Sequence, residues 1–427
     1  MGLVRKKLAP GVDLLMEQTD HFKTGLLTVT LAVPLREETA GAYSLIPEVL
    51  YRGSSRHPDI ESLCAATDRL YGASLGPVVR QRGECQCVSF MCGFIDDRYA
   101  LDGMAVLEPA VMLTGELLLD PVVENGMFCR EYVEGERANL ADRIRTRIHD
   151  KRGWASFRMI EEMCAGEAYA VDKLGGAHRV EALSPEELWG HYQNLLCEAQ
   201  VIFYYNGNAD PLRVESAVCR SFSALLTPRK SCYFCSVLQA PKGELRRVTE
   251  RMDVNQSRLV MGFRTGGITF ADGRYPALLV FNALFGGTAH SRLFLNVRER
   301  MSLCYDISSE MDELKGILAV SCGVESEDLR SAEEEILRQL DCIRRGDFSS
   351  EEMNAAVRAV VSSIVSRRDS QGRAEDAEVT RFLADGGSED ADVLIRELEA
   401  LRPTDIMEVA SCLMPDTVYA LMDKEEQ

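Results

Sequence analysis

The sequence predicts an α+β fold of two homologous domains, each a mostly antiparallel sheet with helices packed on one face. Three observations support this. At 427 residues the chain is too long for a single hydrophobic core. Short runs with the alternation of β-strands are separated by longer runs with helical spacing. The order of these runs in the first half returns in the second half, which indicates an internal duplication.

Three segments of the first half have strand-like patterns: Leu26 to Val33, Leu75 to Phe94, and Ala199 to Asn206. Because Arg82-Gly83 is a turn-forming sequence, Leu75 to Phe94 is expected to form two strands joined there. Apolar residues at helical spacing predict helices over Ile60–Leu70, Tyr99–Leu119 and Cys129–Ile148.

The second half repeats this scheme with strands over Arg258–Phe263, Ile317–Val324 and Thr417–Met422. A charged helix is predicted over Glu327–Arg345, and Ser349 followed by acidic residues is typical of a helix N-cap. We therefore divide the chain into an N-terminal domain (1–228), a linker (229–243) and a C-terminal domain (244–427). The linker lies in the segment Leu226 to Gly243, where Pro, Lys and Gly cluster.

Composition excludes several classes of protein. Hydrophobic residues make up 46% of the chain and charged residues 27%, which is ordinary for a folded protein and argues against disorder. The net charge of −19 disfavours nucleic acid and anionic membranes as partners. We read no signal peptide at the N-terminus and no apolar run near the roughly 18 residues of a spanning helix. The 14 scattered cysteines suit a reducing compartment, so the expected location is the cytoplasm.

Metal-binding and nucleophilic motifs are scarce. No two of the six histidines lie three to five residues apart, so no helical histidine pair is expected. Cys232-Tyr-Phe-Cys235 is half of a four-thiolate zinc site with no second half, and Cys85-Gln-Cys87 is expected to pack on one strand face. Ser44 and Ser302 lack the Gly-x-Ser-x-Gly context of a nucleophile. No cofactor is implied, and no residue is assigned as catalytic.

Several stretches, placed on these elements, resemble the pitrilysin/insulinase family of zinc peptidases, in the two-domain form of bacteria and of the mitochondrial processing peptidase. The most specific is FGGTAHSRLFLNVRERMSLCY at Phe285 to Tyr305, with its glycine-rich turn and its Arg-Leu-Phe, Arg-Glu and Leu-x-Tyr steps. The others are Leu26 to Ser54, LYGASL at Leu70 to Leu75, EEMCAGEAYAVDKLGG at Glu161 to Gly176, and the acidic helix start near Ser350.

Active members of this family hold zinc with a His-x-x-Glu-His helix and a glutamate from a later helix. Aligned on Gly53-Ser54, the motif positions are occupied by Ser44, Leu45, Ile46, Pro47 and Glu48, so both histidines and the catalytic glutamate are absent. Pro47 is expected to make the helix start late or bend. The third ligand position falls on Arg143, or on Asp142 if the alignment slips, and an arginine opposes zinc binding.

The resemblance also implies a substrate-handling pair. In active relatives an arginine and a tyrosine of the second domain steady the scissile carbonyl, and Arg298 and Tyr305 occupy these positions, with Ser302 where a glycine is usual. The alternative is that Arg298 pairs with a surface carboxylate and Tyr305 packs in the sheet. The strand after Leu70-Tyr71-Gly72 matches the family's edge strand, at which peptides bind by strand addition.

The resemblance therefore implies an inactive zinc-peptidase homologue. The leading hypothesis is a non-catalytic subunit that pairs with an active relative to form a peptide-processing chamber. A peptide-binding or scaffold homodimer without catalysis is the alternative. A metallopeptidase with a relocated metal site is disfavoured because the ligands are missing.

The purified chain is predicted not to retain stoichiometric zinc, because Ser44, Glu48 and Arg143 stand at the ligand positions. Metal analysis after mild dialysis is the measurement. About one tightly held zinc ion per chain would contradict the prediction.

Overall fold

The computed structural model describes residues 3–229, 236, 238–240, 243–385, 387 and 391–424, and only the backbone of Asp102 and Asp385. The chain forms two compact units. The first unit is Met1–Arg145, Val171–Phe234 and Ser370–Ser388, and the second is Thr146–Ala170, Cys235–Asp369 and Glu389–Gln427. Each half of the chain thus supplies one segment to the unit formed mainly by the other half. The linear boundaries at 228 and 244 stay a prediction, and most of the linker lies outside the described residues.

The first unit contains a six-stranded sheet of order β1-β2-β8-β3-β5-β4. All neighbours are antiparallel except β2 and β8, which are parallel. The strand β4 lies at one edge, as the resemblance implied. A separate short ribbon is formed by β6 and β7. The strands are β1 (Val4–Ala9), β2 (Val12–Gln18), β3 (Thr24–Pro34), β4 (Ser74–Arg82), β5 (Cys85–Ile95), β6 (Val123–Glu124), β7 (Met127–Phe128) and β8 (Gln200–Gly207).

The second unit contains a five-stranded sheet of order β11-β12-β10-β13-β9, antiparallel except for β13 and β9. Position by position it repeats β4-β5-β3-β8-β2 of the first sheet, including the parallel pair. The predicted class of fold, α+β with two homologous domains and mostly antiparallel sheets, is confirmed. The strands are β9 (Arg246–Met252), β10 (Ser257–Arg264), β11 (Cys304–Asp312), β12 (Ile317–Val324) and β13 (Met414–Asp423).

Several helices begin at a residue whose side chain caps the N-terminus. The hydroxyls of Ser184, before α7 (Pro185–Glu198), and Ser349, before α11 (Ser350–Arg367), each accept from the backbone N–H of the glutamate three residues later. The side chain of that glutamate accepts from the backbone N–H of the serine, which completes a capping box. Two π-helical segments cover Ala283–Gly287 and Phe294–Arg300. The α-helices are α1 (Ala40–Leu50), α2 (Ile60–Arg69), α3 (Leu107–Leu119), α4 (Arg130–Thr146), α5 (Lys151–Met163), α6 (Ala177–Ala182), α7 (Pro185–Glu198), α8 (Pro211–Ser221), α9 (Tyr275–Asn282), α10 (Leu329–Arg344), α11 (Ser350–Arg367), α12 (Gln371–Asp385), α13 (Ala391–Glu399) and α14 (Pro403–Cys412).

Two predicted helix limits differ from the structure. The helix expected from Tyr99 begins only at Leu107, because short 3₁₀ turns occupy the residues before it. The helix α1 does not start late at Pro47. It begins at Ala40 and contains Pro47, in a segment that is almost entirely buried. Packing of this apolar helix outweighs the backbone hydrogen bond that proline cannot donate.

Most helices of each unit pack on one face of its sheet, and a further helix covers the other face. In the first unit α1 and α3 lie over Leu14, Val29 and Phe90, whereas α12 packs its Phe382 against Tyr204 on the opposite face. In the second unit α5 takes the place of α12. This explains why all eight residues of β8 are buried, as expected of a strand with both faces covered.

A buried ionic network holds the end of the α5 segment against the second sheet. The Glu167 carboxylate accepts from Arg264 Nη2 at 2.8 Å and from Lys315 Nζ at 2.6 Å. Arg264 Nε also donates to Asp416 at 3.1 Å. The side chains of Arg264, Glu167 and Lys315 are 3%, 1% and 0% exposed, so solvent screens these charges little. Burial alone raises the pKa of Glu167, but the hydrogen bonds from Arg264 and Lys315 outweigh it and hold the pKa below its usual 4.5.

No described helix is both long and apolar enough to cross a membrane.

Glu167→Gln is predicted to lower the free energy of unfolding by about 3–5 kcal/mol at pH 7, because it leaves buried cations without their carboxylate. Since the folded-state pKa lies below the unfolded one, this contribution is complete above the unfolded pKa. It is lost as pH falls through the folded-state pKa, so the difference between variant and parent should shrink below pH 4.5. Urea denaturation over a pH series measures both effects.

The matched control is Glu334→Gln, which removes an exposed pair with Arg330 and should cost no more than about 0.5 kcal/mol. A Glu167→Gln cost as small as that of the control would show that the buried network does not hold this segment.

Candidate functional site

The helix α1 carries the positions that hold zinc in active relatives, and it is fastened by a buried polar cluster. Ser44, fully buried, donates its hydroxyl to the Lys173 carbonyl at 2.6 Å. The amide of Gln86 on β5 donates to the same carbonyl at 2.7 Å, and lies within 3.2 Å of the Ser44 oxygen and 3.0 Å of the Ala40 carbonyl. These bonds join the helix, the central sheet and the loop that follows residue 171.

The same loop approaches the helix closely. Gly175 has φ +74°, and a Cβ there would lie 2.6 Å from the Gly41 backbone. Only glycine fits such a contact without displacement of the backbone. The close packing gives a physical role to the DKLGG segment of the family-like stretch.

The last motif position on α1 and the third ligand position on α4 meet as an ion pair. Arg143 Nη1 donates to Glu48 Oε1 at 2.9 Å. About two turns earlier on α4, Glu136 accepts from Arg52, just beyond the end of α1, at 3.2 Å. Arg143 therefore faces Glu48, whereas the Asp142 side chain is 77% exposed and lies near Arg145.

These residues do not suit a zinc ion. Ser44 donates into a buried carbonyl, Pro47 has no side-chain ligand atom, and the Glu48 carboxylate is engaged by a guanidinium that cannot be deprotonated. Within the part of the chain that the structure describes, no three His, Cys, Asp or Glu side chains are grouped to hold a metal ion. The Cys232 and Cys235 pair lies outside the described residues.

Sequence reasoning did not identify Gln86 as the partner of Ser44, because the two are distant in sequence. One indication was available. Gln86 occupies a position of β5 that faces the apolar core with Val88 and Phe90, and a polar residue on such a face needs a hydrogen-bond partner. The sequence pattern indicates that Gln86 needs a hydrogen-bond partner, but not which residue provides it.

The predicted substrate pair lies around the second π-helical segment and the start of β11. The Arg298 side chain is 39% exposed, stacks 4.5 Å above the Phe294 ring centroid and lies 3.7 Å from Glu299. Tyr305 is 62% exposed and donates to Glu325 Oε1 at 2.8 Å. This hydrogen bond raises the pKa of Tyr305, so its hydroxyl stays a donor at neutral pH. No hydrogen bond joins Arg298 to Tyr305 among the described residues.

The turn between these two residues is strained. Ser302 has φ +54°, a conformation that L-residues with a Cβ seldom adopt and that glycine adopts freely. Glycine, the residue usual in the family at this position, would adopt this conformation without strain. π-Helical segments are uncommon and frequently lie at functional sites.

A cavity of about 380 Å³ lies between α3 and α8 in the first unit. Its wall includes Glu116, which accepts from Ser54 and from His57 Nδ1 at 2.9 Å. None of the predicted site residues lines it.

The repeated α+β units, together with a first helix that bears substitutes for metal ligands, define a metallopeptidase-like protein whose described residues form no metal site. Comparisons with known proteins agree. The family model "Peptidase M16 inactive domain" matches residues 182–360. Over 420 residues the chain is 31% identical to "Probable inactive metalloprotease YmfF" of Bacillus subtilis (strain 168), covering 97% of this chain and 96% of that protein.

Two solved structures support the fold. A conserved protein from Enterococcus faecalis V583 superposes with a TM-score of 0.91 at 26% identity, with both chains fully covered. A peptidase M16 inactive domain from Pseudomonas fluorescens gives a TM-score of 0.81 at 14% identity, with 100% and 99% covered, and this likeness concerns the fold alone. The chain belongs to the M16 family, the pitrilysin/insulinase family of zinc peptidases. It is an inactive homologue that lacks the His-x-x-Glu-His motif.

Ser302→Gly is predicted to raise the free energy of unfolding by up to about 1 kcal/mol, because it removes the strain of a left-handed backbone at a residue with a Cβ. Ser302→Ala keeps the Cβ and loses only the hydroxyl, so it separates the two contributions and should give no gain. Equal effects of the two substitutions in urea denaturation would show that the backbone conformation is not the cause.

Proposed function

We propose that this chain is the non-catalytic subunit of a peptidase pair, and that it supplies Arg298 and Tyr305 to the peptide site of a zinc-bearing M16 partner. The observation that carries the proposal is a contrast between two sets of positions. Those that would hold metal are engaged in internal contacts, whereas the two implied substrate-handling side chains are open to solvent.

The contacts at the metal positions favour a lasting structural role. The Glu48–Arg143 pair and the Ser44–Gln86 cluster connect α1 to α4, to β5 and to the loop after residue 171. A helix fixed in this way keeps the family fold without the metal. A partner that recognises the fold would therefore still meet a well-formed surface.

The chemistry of the second set favours donation to a substrate. A guanidinium and a phenol can both donate to an oxyanion, and Tyr305 is protonated at neutral pH. Arg298 is held by a ring contact and a long ion pair, both within its own helical segment. Reorienting it towards a peptide carbonyl would break few strong interactions.

The second candidate function is peptide binding without catalysis. The edge position of β4 favours it, since an exposed strand edge can add an extended peptide through main-chain hydrogen bonds. This role needs neither Arg298 nor Tyr305, so the two functions are separable.

Arg298→Ala or Tyr305→Phe is predicted to slow the reconstituted pair by roughly 10²–10³, which is the usual effect of removing one oxyanion donor. The tagged chain is first used to recover a zinc-bearing M16 relative encoded in the same genome. Cleavage of an unstructured peptide is then assayed with the parent and each variant, and the chain alone should show no activity.

The control is Arg300→Ala, an exposed arginine of the same segment, which should leave turnover unchanged. Unchanged turnover with Arg298→Ala and Tyr305→Phe as well would contradict the proposed role and favour peptide binding or a scaffold. Failure to recover any such relative would count against the pairing itself.

A further inference from the structure

Two thiols face each other beneath α12 on the first sheet. Cys85 and Cys87 occupy alternate positions of β5, so their side chains lie on the same face, with Sγ atoms 3.8 Å apart. Both residues are 0% exposed. The sequence favoured plain packing for this pair, and the surroundings of the two thiols indicate more.

A buried arginine stands beside the pair. Arg82 lies opposite Cys85 across β4 and β5, and its side chain is 3% exposed. Its Nη2 donates to Asp376 at 2.9 Å, but its Nε and Nη1 find no hydrogen-bond partner among the residues that the structure describes. The buried Glu375 carboxylate also lies 3.6 Å from Arg82 Nη2. Buried donors without a partner need a hydrogen-bond acceptor.

Of the two thiols, Cys87 is the one that ionises more readily. A hydrogen bond from Cys85 and, against the effect of burial, the nearby charge of Arg82 lower the pKa of Cys87. Burial raises the pKa of Cys85, which therefore remains a thiol. The charge of Glu375 acts in the opposite direction and raises the pKa of Cys87. The two sulfur atoms, 3.8 Å apart, are close enough for one to attack the other.

The helix α12 controls access to the pair. It packs Val379, Phe382 and Leu383 into the same cluster as the two cysteines. Its first turns are tied to β4 by ion pairs of Arg80 with Glu375 and of Arg82 with Asp376. Because both cysteines are 0% exposed, a small reagent reaches their sulfur atoms only when α12 moves away from the sheet.

We propose that Cys85 and Cys87 are a reversible dithiol–disulfide pair that small hydroperoxides oxidise when α12 opens. The Cys87 thiolate attacks the peroxide and breaks its O–O bond, and the alcohol leaves with a proton from solvent, so that Cys87 becomes a sulfenic acid. The Cys85 sulfur then attacks the Cys87 sulfur, and the S–O bond breaks. The hydroxide leaves as water with the proton of Cys85. The two sulfur atoms lose two electrons in total, and the peroxide gains them.

The distance between Cys85 and Cys87 permits a disulfide and makes that disulfide easy to reduce. Alternate residues of a strand have Cα atoms roughly 6.7 Å apart, which is near the upper limit for a disulfide. A bond formed at that limit is strained, and strained disulfides are more readily reduced.

The test uses the native, full-length protein exposed to hydrogen peroxide, followed by denaturation, thiol alkylation and mass spectrometry. Trypsin releases Gly83 to Arg98, a single peptide that contains Cys85, Cys87 and Cys92. Cys92 is the internal control, because it is equally buried on the same strand but faces the other side of the sheet. Burial raises its pKa to about 11.

The expected result is a disulfide between Cys85 and Cys87 that a thiol reductant reverses, with Cys92 still alkylated. Cys92→Ser should not change this outcome, and Cys85→Ser or Cys87→Ser should abolish the disulfide. In Cys85→Ser a sulfenic acid should be trapped on Cys87, and in Cys87→Ser none should be trapped on Cys85.

The role of α12 is tested with Phe382→Ala, which removes a buried ring of this helix and should speed the oxidation about tenfold or more.

Two results would overturn the proposal. One is that Cys85 and Cys87 stay reduced in the native protein while the exposed Cys64 is oxidised. The other is that Cys92 is oxidised as fast as the pair, which would show global unfolding and not a local site. Circular dichroism of each variant separates a folding defect from a loss of reactivity.

Discussion

Both faces of each sheet have to be covered, and the rest of the structure depends on this constraint. The central strands carry large apolar side chains on both sides, for example Phe203 and Tyr204 on β8. One face is covered by helices from the same half of the chain, and the other by a single helix from the other half, α12 or α5. Burial of both faces drives this arrangement, since each face left open would expose a row of apolar residues.

The two covering segments are secured by charge as well as by apolar contact. Glu167 is held by Arg264 and Lys315 in the second unit, and Glu375 and Asp376 meet Arg80 and Arg82 in the first. Buried ion pairs add less net stability than apolar packing, but they specify where a helix docks. One of these cations, Arg82, also lies near the Cys85–Cys87 pair, where a hydrogen bond from Cys85 and the charge of Arg82 lower the pKa of Cys87.

Loss of the metal site is compensated within the fold. In a zinc peptidase, metal coordination links the first helix to a later one. Here the Glu48–Arg143 pair links α1 to α4, and the neighbouring Arg52–Glu136 pair extends the contact. These two pairs join the helices through side chains of this chain alone. This is what a subunit retained for its shape and its surface would require.

The sequence by itself determined the class of fold, the repeat and the absence of the His-x-x-Glu-His motif. Strand alternation, caps such as Ser349 and the turn at Arg82-Gly83 are local features, and local physics places them. Only the tertiary structure decided which helix covers the second face of each sheet, that Gln86 meets Ser44, and that Arg82 stands beside Cys87. These contacts join residues that lie far apart in the chain or on neighbouring strands. A pattern along one strand can show that a polar group will be buried, but the partner is chosen by packing in three dimensions.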